Sequence, residues 1–346
     1  MIDFDVTRTL RPETRADVAA ALADSTGESL RIVGHGTTQH RIAPPPGPVA
    51  TLELGGLDRI TRVDAADLTA SVEPGVRIDD LAAELERHRL CLPVHDSGTS
   101  VGGVFARGSR GALAPGGHHT RSLLLGFEGV LAEGRPFKAG ARVVKSVAGF
   151  DLAKAFVGSR GLLFAVTELH LKLRPLPEHA EWFAVTGLDS GTAVERFHSW
   201  RRRATPLAAI VLRGTPDAKW SLFGRAAGHR STVHDAVREL EGQPCEAPSW
   251  RLDAATRISG GFPPAAVIDL LRIDPRICVT GGLQFELEIE SNTVESTLAA
   301  LAALGCSAAV TAGAPELRRA HTPIDPAAAE LTARLRAVLD PRSVLA

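Results

Sequence analysis

The chain has 346 residues, with 39 Lys and Arg against 40 Asp and Glu, a net charge of −1 and a mean hydropathy of +0.04. That length exceeds one ordinary domain and can bury a sizeable core, while the charge balance leaves no basic field for nucleic acid. No run of about eighteen apolar residues occurs, and the acidic start Met1-Ile2-Asp3-Phe4-Asp5 lacks a basic-then-apolar leader, so the sequence reads as cytoplasmic with no transmembrane segment.

Leu30–Val33 is a short apolar strand that runs into Gly34-His35-Gly36-Thr37-Thr38-Gln39. A turn there can aim N–H groups and the Thr37 and Thr38 hydroxyls at phosphate oxygens; taken alone it is equally an ordinary strand-ending turn. Pro44–Pro48 is a rigid loop, and Leu68–Val72 alternates as a strand into Pro74-Gly75. Ile78, Leu81 and Leu85 then share one helical face, with Asp79 and Asp80 favourable in the first turn. Ser97-Gly98-Thr99-Ser100-Val101-Gly102-Gly103 leaves a loop and opens a small helix through Phe105, whose N-terminus would add positive partial charge; alone it is a glycine-rich surface loop.

A third glycine segment, Lys145-Ser146-Val147-Ala148-Gly149-Phe150-Asp151, leads to Gly158-Ser159-Arg160-Gly161. Asp151 reads as the N-cap of a helix over Leu152–Val157, and Leu162–Leu173, which includes Val166, as an apolar strand. Two prolines in Arg174-Pro175-Leu176-Pro177 stop that strand and mark a domain boundary. Beyond it come strands over Trp182–Leu188, Leu207–Arg213 and Trp220–Arg225, with helices over Thr192–Arg203 and Ser231–Leu240. A second round follows: a strand over Leu283–Glu290, a helix over Thr293–Leu304 started by an Asn292 and Glu295 capping pair, and a strand over Cys306–Val310. This β-α-β-β-α texture predicts a ferredoxin-like sheet domain. The last helix, Pro326–Leu339, is expected to turn Leu331, Leu335 and Val338 inward.

Several glycine loops joined by short strands point to one long, phosphate-bearing cofactor, because glycine lets successive N–H groups converge on an anion. Two familiar phosphate motifs are excluded. Gln39 stands where G-x-G-x-x-G needs its third glycine, and Val144 stands where a P-loop around Gly140–Ser146 needs its second. The four cysteines, Cys91, Cys245, Cys278 and Cys306, are widely separated and read as buried thiols without an iron–sulfur cluster. His118-His119 reads as a loop pair, His95-Asp96 as solvent-exposed, Arg201-Arg202-Arg203 as a solvated helix end, and no metal site is expected.

Gly34-His35-Gly36-Thr37, Ser100-Val101-Gly102-Gly103, Thr120–Gly126, Lys145–Leu152 and Gly158–Glu168 occur in an order that resembles the FAD-binding domain of the vanillyl-alcohol-oxidase, or PCMH-type, flavoproteins. Within that family the likeness is to the FAD-binding E-type subunits of glycolate oxidase (glycolate dehydrogenase), and it covers about half the chain, roughly residues 25 to 175. The resemblance implies an α+β protein. A PCMH-type FAD-binding domain of two α/β subdomains would span 1–177, and a ferredoxin-like domain akin to FAD-linked oxidase C-terminal domains would span 178–346. It also implies an oxidoreductase subunit that binds FAD and relays electrons between a catalytic flavin subunit and an iron–sulfur subunit, meeting a small hydroxy acid only indirectly.

By the same resemblance Gly34, His35, Gly36, Thr37, Thr38, Gln39, Ser97, Gly98, Thr99, Ser100, Gly102 and Gly103 would surround the pyrophosphate, and Lys145, Gly149, Gly158, Gly161 and Val166 the flavin side. His35 replaces the middle glycine of the usual Gly-Gly-Gly-Thr, Ser122 a common Asp, and Phe150 a common Tyr. Thr37 stands where relatives with covalent flavin carry histidine, so the FAD is expected to be noncovalent. The His-x-Gly-Asp-Gly-Asn-x-His segment of catalytic relatives is absent, as is any tyrosine, and His198, His229, His234 and His321 are scattered, so no catalytic residue is assigned. Two alternatives stand beside this reading: a self-sufficient FAD-dependent oxidoreductase of a small hydroxy acid or alcohol, and a flavin-free assembly subunit.

Overall fold

A computed structural model of the chain describes all residues except 1, 3, 26, 40–43, 95–97, 109–118, 143–152, 204–205, 216–218, 249–255 and 322–325, together with the side chains of 326–328. The chain divides into two compact units, one formed by Met1–Ser109, His119–Leu176 and Ile324–Ala346, the other chiefly by Pro177–Pro323. The chain thus passes into the second unit at Pro177, and the described residues from 326 to 346, grouped from sequence with the second domain, lie with the first.

In the first unit the elements run β1 (Val6–Leu10), α1 (Arg15–Asp24), β2 (Leu30–Val33), β3 (Val49–Glu53), β4 (Ile60–Asp64), β5 (Thr69–Val72), α2 (Ile78–Arg87) and β6 (Leu90–Cys91). They continue with α3 (Val101–Arg107), α4 (Thr120–Leu123), β7 (Leu124–Val130), β8 (Pro136–Gly140), α5 (Ala153–Phe156), β9 (Ala165–Lys172) and β10 (Arg174–Pro175). A small parallel sheet has the order β1-β3-β2, and a five-stranded antiparallel sheet the order β4-β5-β9-β7-β8. β7 and β9 are interior strands buried at most positions, and from Glu168 β9 alternates, with Leu169 and Leu171 in the core between Glu168, His170 and Lys172. β5 is buried at all of its positions, where the sequence suggested alternation. The amphipathic face of α2 forms as read, with Ile78, Leu81 and Leu85 in the core.

The second unit holds β11 (His179–Leu188), α6 (Ser190–Arg202), β12 (Leu207–Gly214), β13 (Trp220–Gly228), α7 (Arg230–Glu239) and β14 (Gln243–Pro244). Then follow β15 (Arg257–Gly261), α8 (Val267–Ile273), β16 (Cys278–Thr280), β17 (Gln284–Glu288), α9 (Val294–Ala303), β18 (Ser307–Ala312) and α10 (Pro315–Ala320). One antiparallel sheet runs β14-β11-β13-β12-β16-β17-β15-β18. Each half of it is a βαββαβ unit of ferredoxin-like order, and the halves join through their second strands, β12 and β16. The core between sheet and helices is built by Phe183, Phe197, Trp200, Trp220, Phe285 and their aliphatic neighbours.

Helix α11 (Pro326–Leu339) returns the chain to the first unit. It packs there through Leu335 and Leu339, one turn apart, which leaves Leu331 and Val338 exposed at 57% and 73%, contrary to the inward face expected for them. The tail then lies parallel to β2, with Leu30 N–H donating to Val344 O at 2.6 Å and Ala346 N–H to Leu30 O at 2.9 Å.

Other expectations are corrected by packing. A 3₁₀ turn over Ser291–Thr293 precedes α9, so Thr293 takes the cap position without a side-chain cap and the Asn292–Glu295 pair does not form. Only Cys278 is a buried thiol, pushed up to about 12 by burial; Cys91, Cys245 and Cys306 are half-buried. Nor is the arginine run simply solvated: Arg201 Nε donates to Gly281 O at 2.9 Å beside the Phe197 ring, and Arg203 pairs with Glu239. The Asp151 cap falls outside the described residues. Among the described residues no helix is long and apolar enough to cross a membrane.

Candidate functional site

Four segments of the first unit converge on an open cleft. They are the end of β2 with residues 34–39, the turn at Pro74, the entry and body of α3, and the stretch from Phe156 to Val166. Gly34, His35, Gly36, Thr37, Thr38, Gln39, Thr99, Ser100, Gly102, Gly103, Gly161 and Val166 all line it. Gly98 and Gly158 do not: Asp79 Oδ2 accepts the Gly98 N–H at 2.8 Å outside the cleft, and Gly158 donates to Phe105 O at 3.1 Å behind α3. Ser97, Lys145 and Gly149 lie outside the described residues, as do His95, Asp96 and His118.

The first loop leaves β2 because Val33 is the last residue in register with β3, facing Glu53. Gly36 adopts φ +70°, a conformation in which a Cβ costs about 1–2 kcal/mol. Among the described residues, the N–H groups of Gly34, His35 and Gly36 donate no backbone hydrogen bond. Unspent donors in a turn of this kind make an anion-receptive concavity.

His35 does not obstruct it. Its Nε2, which must carry the proton because a carbonyl only accepts, donates to Gly75 O at 2.7 Å. The ring rests on Gly55, where an added Cβ would lie 2.9 Å from Nδ1, so the absence of a side chain at Gly55 is what gives His35 room.

The second loop is sewn to the Pro74 turn: Ile78 N–H donates to Thr99 O, Val101 N–H to Val76 O and Gly102 N–H to Pro74 O, at 3.0, 2.8 and 2.8 Å. Ser100 caps α3, its Oγ accepting the Gly103 N–H at 3.2 Å. The donors of Gly102 and Gly103 are therefore used inside the protein, and these residues contribute close backbone approach instead. A Cβ on Gly102 would stand 2.7 Å from Pro74 Cβ and 2.9 Å from Pro74 O.

Sequence reasoning missed the walls. Phe156 and Phe164, each 3% exposed, back the cleft, and Phe164 stacks on Phe127 with centroids 4.9 Å apart. Arg107 and Arg160 bring charge to the lining. Arg107 Nε donates to Gly103 O at 3.2 Å, and burial pushes its guanidinium down to about 10. Burial also lowers Arg160, which is crowded by protein yet open to the cleft and has no ion-pair partner among the described residues. Beneath them Arg31 is pushed down to about 10 by burial, with the positive Arg160 adding to the effect. Guanidinium groups gathered where burial disfavours their charge are relieved by an anion. Arg107 was legible as the residue one helical turn beyond Gly103, and Arg160 as the side chain inside the Gly158–Gly161 motif.

The donor loop and the two lining arginines suit a diphosphate, and the phenylalanine wall suits an apolar or aromatic moiety. The arrangement therefore fits FAD.

Residues 6–140 match the family described as FAD binding domain. The chain is 30% identical over 174 residues to mitochondrial cytochrome D-lactate dehydrogenase of Arabidopsis thaliana, covering 49% of this chain and 30% of that protein. It is 31% identical to glycolate oxidase subunit GlcD of Bacillus subtilis (strain 168), covering 51% and 40%. With glycolate oxidase subunit GlcE of Escherichia coli (strain K12) it shares 24% identity over 243 residues, 68% of each chain. The chain thus spans well under half the length of the first two relatives. An alkyldihydroxyacetonephosphate synthase structure superposes on 97% of this chain and 75% of its own, with TM-score 0.70 and 12% identity, and so shares the fold. Residues 6–140 of the first unit thus match an FAD binding domain, the chain shares the fold of that synthase, and it is similar over part of its length to those glycolate oxidase subunits and D-lactate dehydrogenases.

Proposed function

We propose that the chain is the FAD-binding subunit of a glycolate oxidase-type complex in the cytoplasm. It would hold FAD without a covalent tether and stand between a catalytic flavin subunit and an iron–sulfur subunit in the path of electrons from 2-hydroxy acid oxidation. Coverage carries this reading: the similarity to GlcE extends over 68% of both chains, whereas those to GlcD and D-lactate dehydrogenase take in 40% and 30% of those proteins.

The loop from Gly34 to Thr38 would receive the pyrophosphate, with Arg107 and Arg160 opposing its charge, while Gly161 and Val166 line the flavin side with Phe156 and Phe164. Lys145 and Gly149 complete that side by resemblance alone. Bound FAD supplies the redox chemistry, and the protein supplies binding, orientation and electrostatics. Because the sequence lacks the His-x-Gly-Asp-Gly-Asn-x-His segment, removal of the substrate proton falls to the partner flavin subunit.

The test is the absorption spectrum of the purified chain before and after FAD addition and desalting, followed by glycolate. Retained flavin that stays oxidised with glycolate alone, and is reduced once the partner subunits are added, supports the proposal. Bleaching by glycolate or D-lactate in the isolated chain replaces it with a self-sufficient oxidoreductase. A chain that stays colourless replaces it with an assembly subunit.

A further inference from the structure

β11 begins at His179, and its period of two places His179, Glu181 and Phe183 on one face. Phe183 is fully buried in the second unit's core, and α7 covers the same region with Val233 and Val237. His234, beside Val233 on the flank of α7, is thereby delivered to the first turn of the strand. The rings of His179 and His234 meet edge-on, centroids 5.5 Å apart at 87°. His179 Nε2 lies 3.4 Å from Glu181 Oε2, and one donor atom of each residue lies within 4.8 Å of the others.

We propose that His179, Glu181 and His234 form a binding site for a divalent transition metal of the zinc class. Two imidazole nitrogens and one carboxylate oxygen, with the fourth position left to water, are an established zinc donor set. The 3.4 Å separation of His179 and Glu181 is long for a charge-assisted hydrogen bond. It equals the roughly 3.4 Å edge of a tetrahedron with metal–ligand bonds of about 2.1 Å. His234, exposed on its helix, has only side-chain rotation to make to close the third edge.

Charge points the same way. Among the described residues Glu181 has no Lys or Arg ion-pair partner. The other compact donor cluster, Glu128, Glu168 and His170 in the first unit, is already neutralised by Arg15, Lys138 and Arg142 and needs no metal. Nearby, Glu178 Oε2 and His229 Nδ1 pair at 2.9 Å, so those two side chains satisfy each other. The metal would staple α7 to the start of β11 and so stabilise the second unit. Sequence spacing concealed the site because its donors come from a strand and a helix 55 residues apart at His179 and His234.

The full chain, stripped with a chelator, is titrated with Co²⁺ and then Zn²⁺. One equivalent of cobalt is expected to develop the visible bands of a low-coordinate ion, zinc to displace it, and zinc to raise the Tm. His179→Ala and His234→Ala should each weaken uptake by more than about 100-fold, beyond the usual effect of outer-shell changes. His198→Ala, a histidine outside the cluster, should bind as the parent does. Circular dichroism in chelator confirms that the variants fold, and unchanged FAD content separates this outcome from that of the flavin test. No uptake by the parent chain at equimolar metal, or parent-like uptake by both His179→Ala and His234→Ala, overturns the site.

Discussion

Replacing Gly102 by alanine isolates what the second glycine loop contributes. The new Cβ would stand 2.7 Å from Pro74 Cβ, 2.9 Å from Pro74 O and 3.1 Å from Pro74 Cα, all parts of a backbone or a rigid ring. Relief requires α3 and the Pro74 turn to separate, which lengthens the 2.8 Å bond from Gly102 N–H to Pro74 O. Overpacking costs about 1–3 kcal/mol and a weakened hydrogen bond about 1 kcal/mol, so a loss of about 2–4 kcal/mol is expected. Gly103→Ala is the control, since its Cβ would meet only the Ser100 hydroxyl, at 3.1 Å. Gly36→Ala should fall between them, its φ of +70° costing about 1–2 kcal/mol without a steric clash. Thermal unfolding reads the stability, and flavin absorbance after desalting reads the cleft. The reasoning is refuted if Gly102→Ala matches Gly103→Ala in both Tm and retained flavin.

Three further outcomes follow from the geometry. Arg160→Gln should weaken FAD binding about 10-fold, as expected for one charge-assisted contact, and make the Kd less sensitive to salt; equal salt slopes in titrations of parent and variant would remove Arg160 from the site. Asp340, 2% exposed, accepts the Val344 and Leu345 N–H groups at 2.8 and 2.9 Å. Asp340→Ala strands both donors at a cost of about 2–4 kcal/mol, and hydrogen exchange at Val344 and Leu345 should quicken; unchanged protection there argues against this anchoring of the tail. His170 is 5% exposed, and burial lowers its pKa, with Glu168 opposing and Arg142 assisting. A depressed histidine contributes stability that is complete above its unfolded pKa of about 6.5 and is lost as pH falls through the folded value. The Tm should therefore decline as pH falls below about 6.5, less steeply in His170→Gln; parallel slopes would contradict the assignment. His198, lowered by burial and by Arg201, retains a share of that slope.

Wherever a few neighbouring residues suffice, this protein is legible in its sequence. The strand-to-glycine turn at Gly34, the inward face of α2 and most strands and helices of the second unit follow from periodicity, turn chemistry and the placement of glycine and proline, which act over one or two turns of chain. The ordered glycine segments likewise marked most of the cleft lining before any packing was known.

Tertiary structure decided what those signals do not carry. It paired β12 with β16 to fuse two ferredoxin-like halves, returned α11 and the tail to the first unit, and turned Leu335 rather than Leu331 or Val338 toward the core. It also spent the Gly102 and Gly103 donors inside the protein, folded the His35 ring onto Gly75, and brought Arg107 and Arg160 to one cleft. The reason is common to all of these. Local propensity sets what an element is, but which of its faces is buried, and which distant side chain it meets, depends on the partner that covers it.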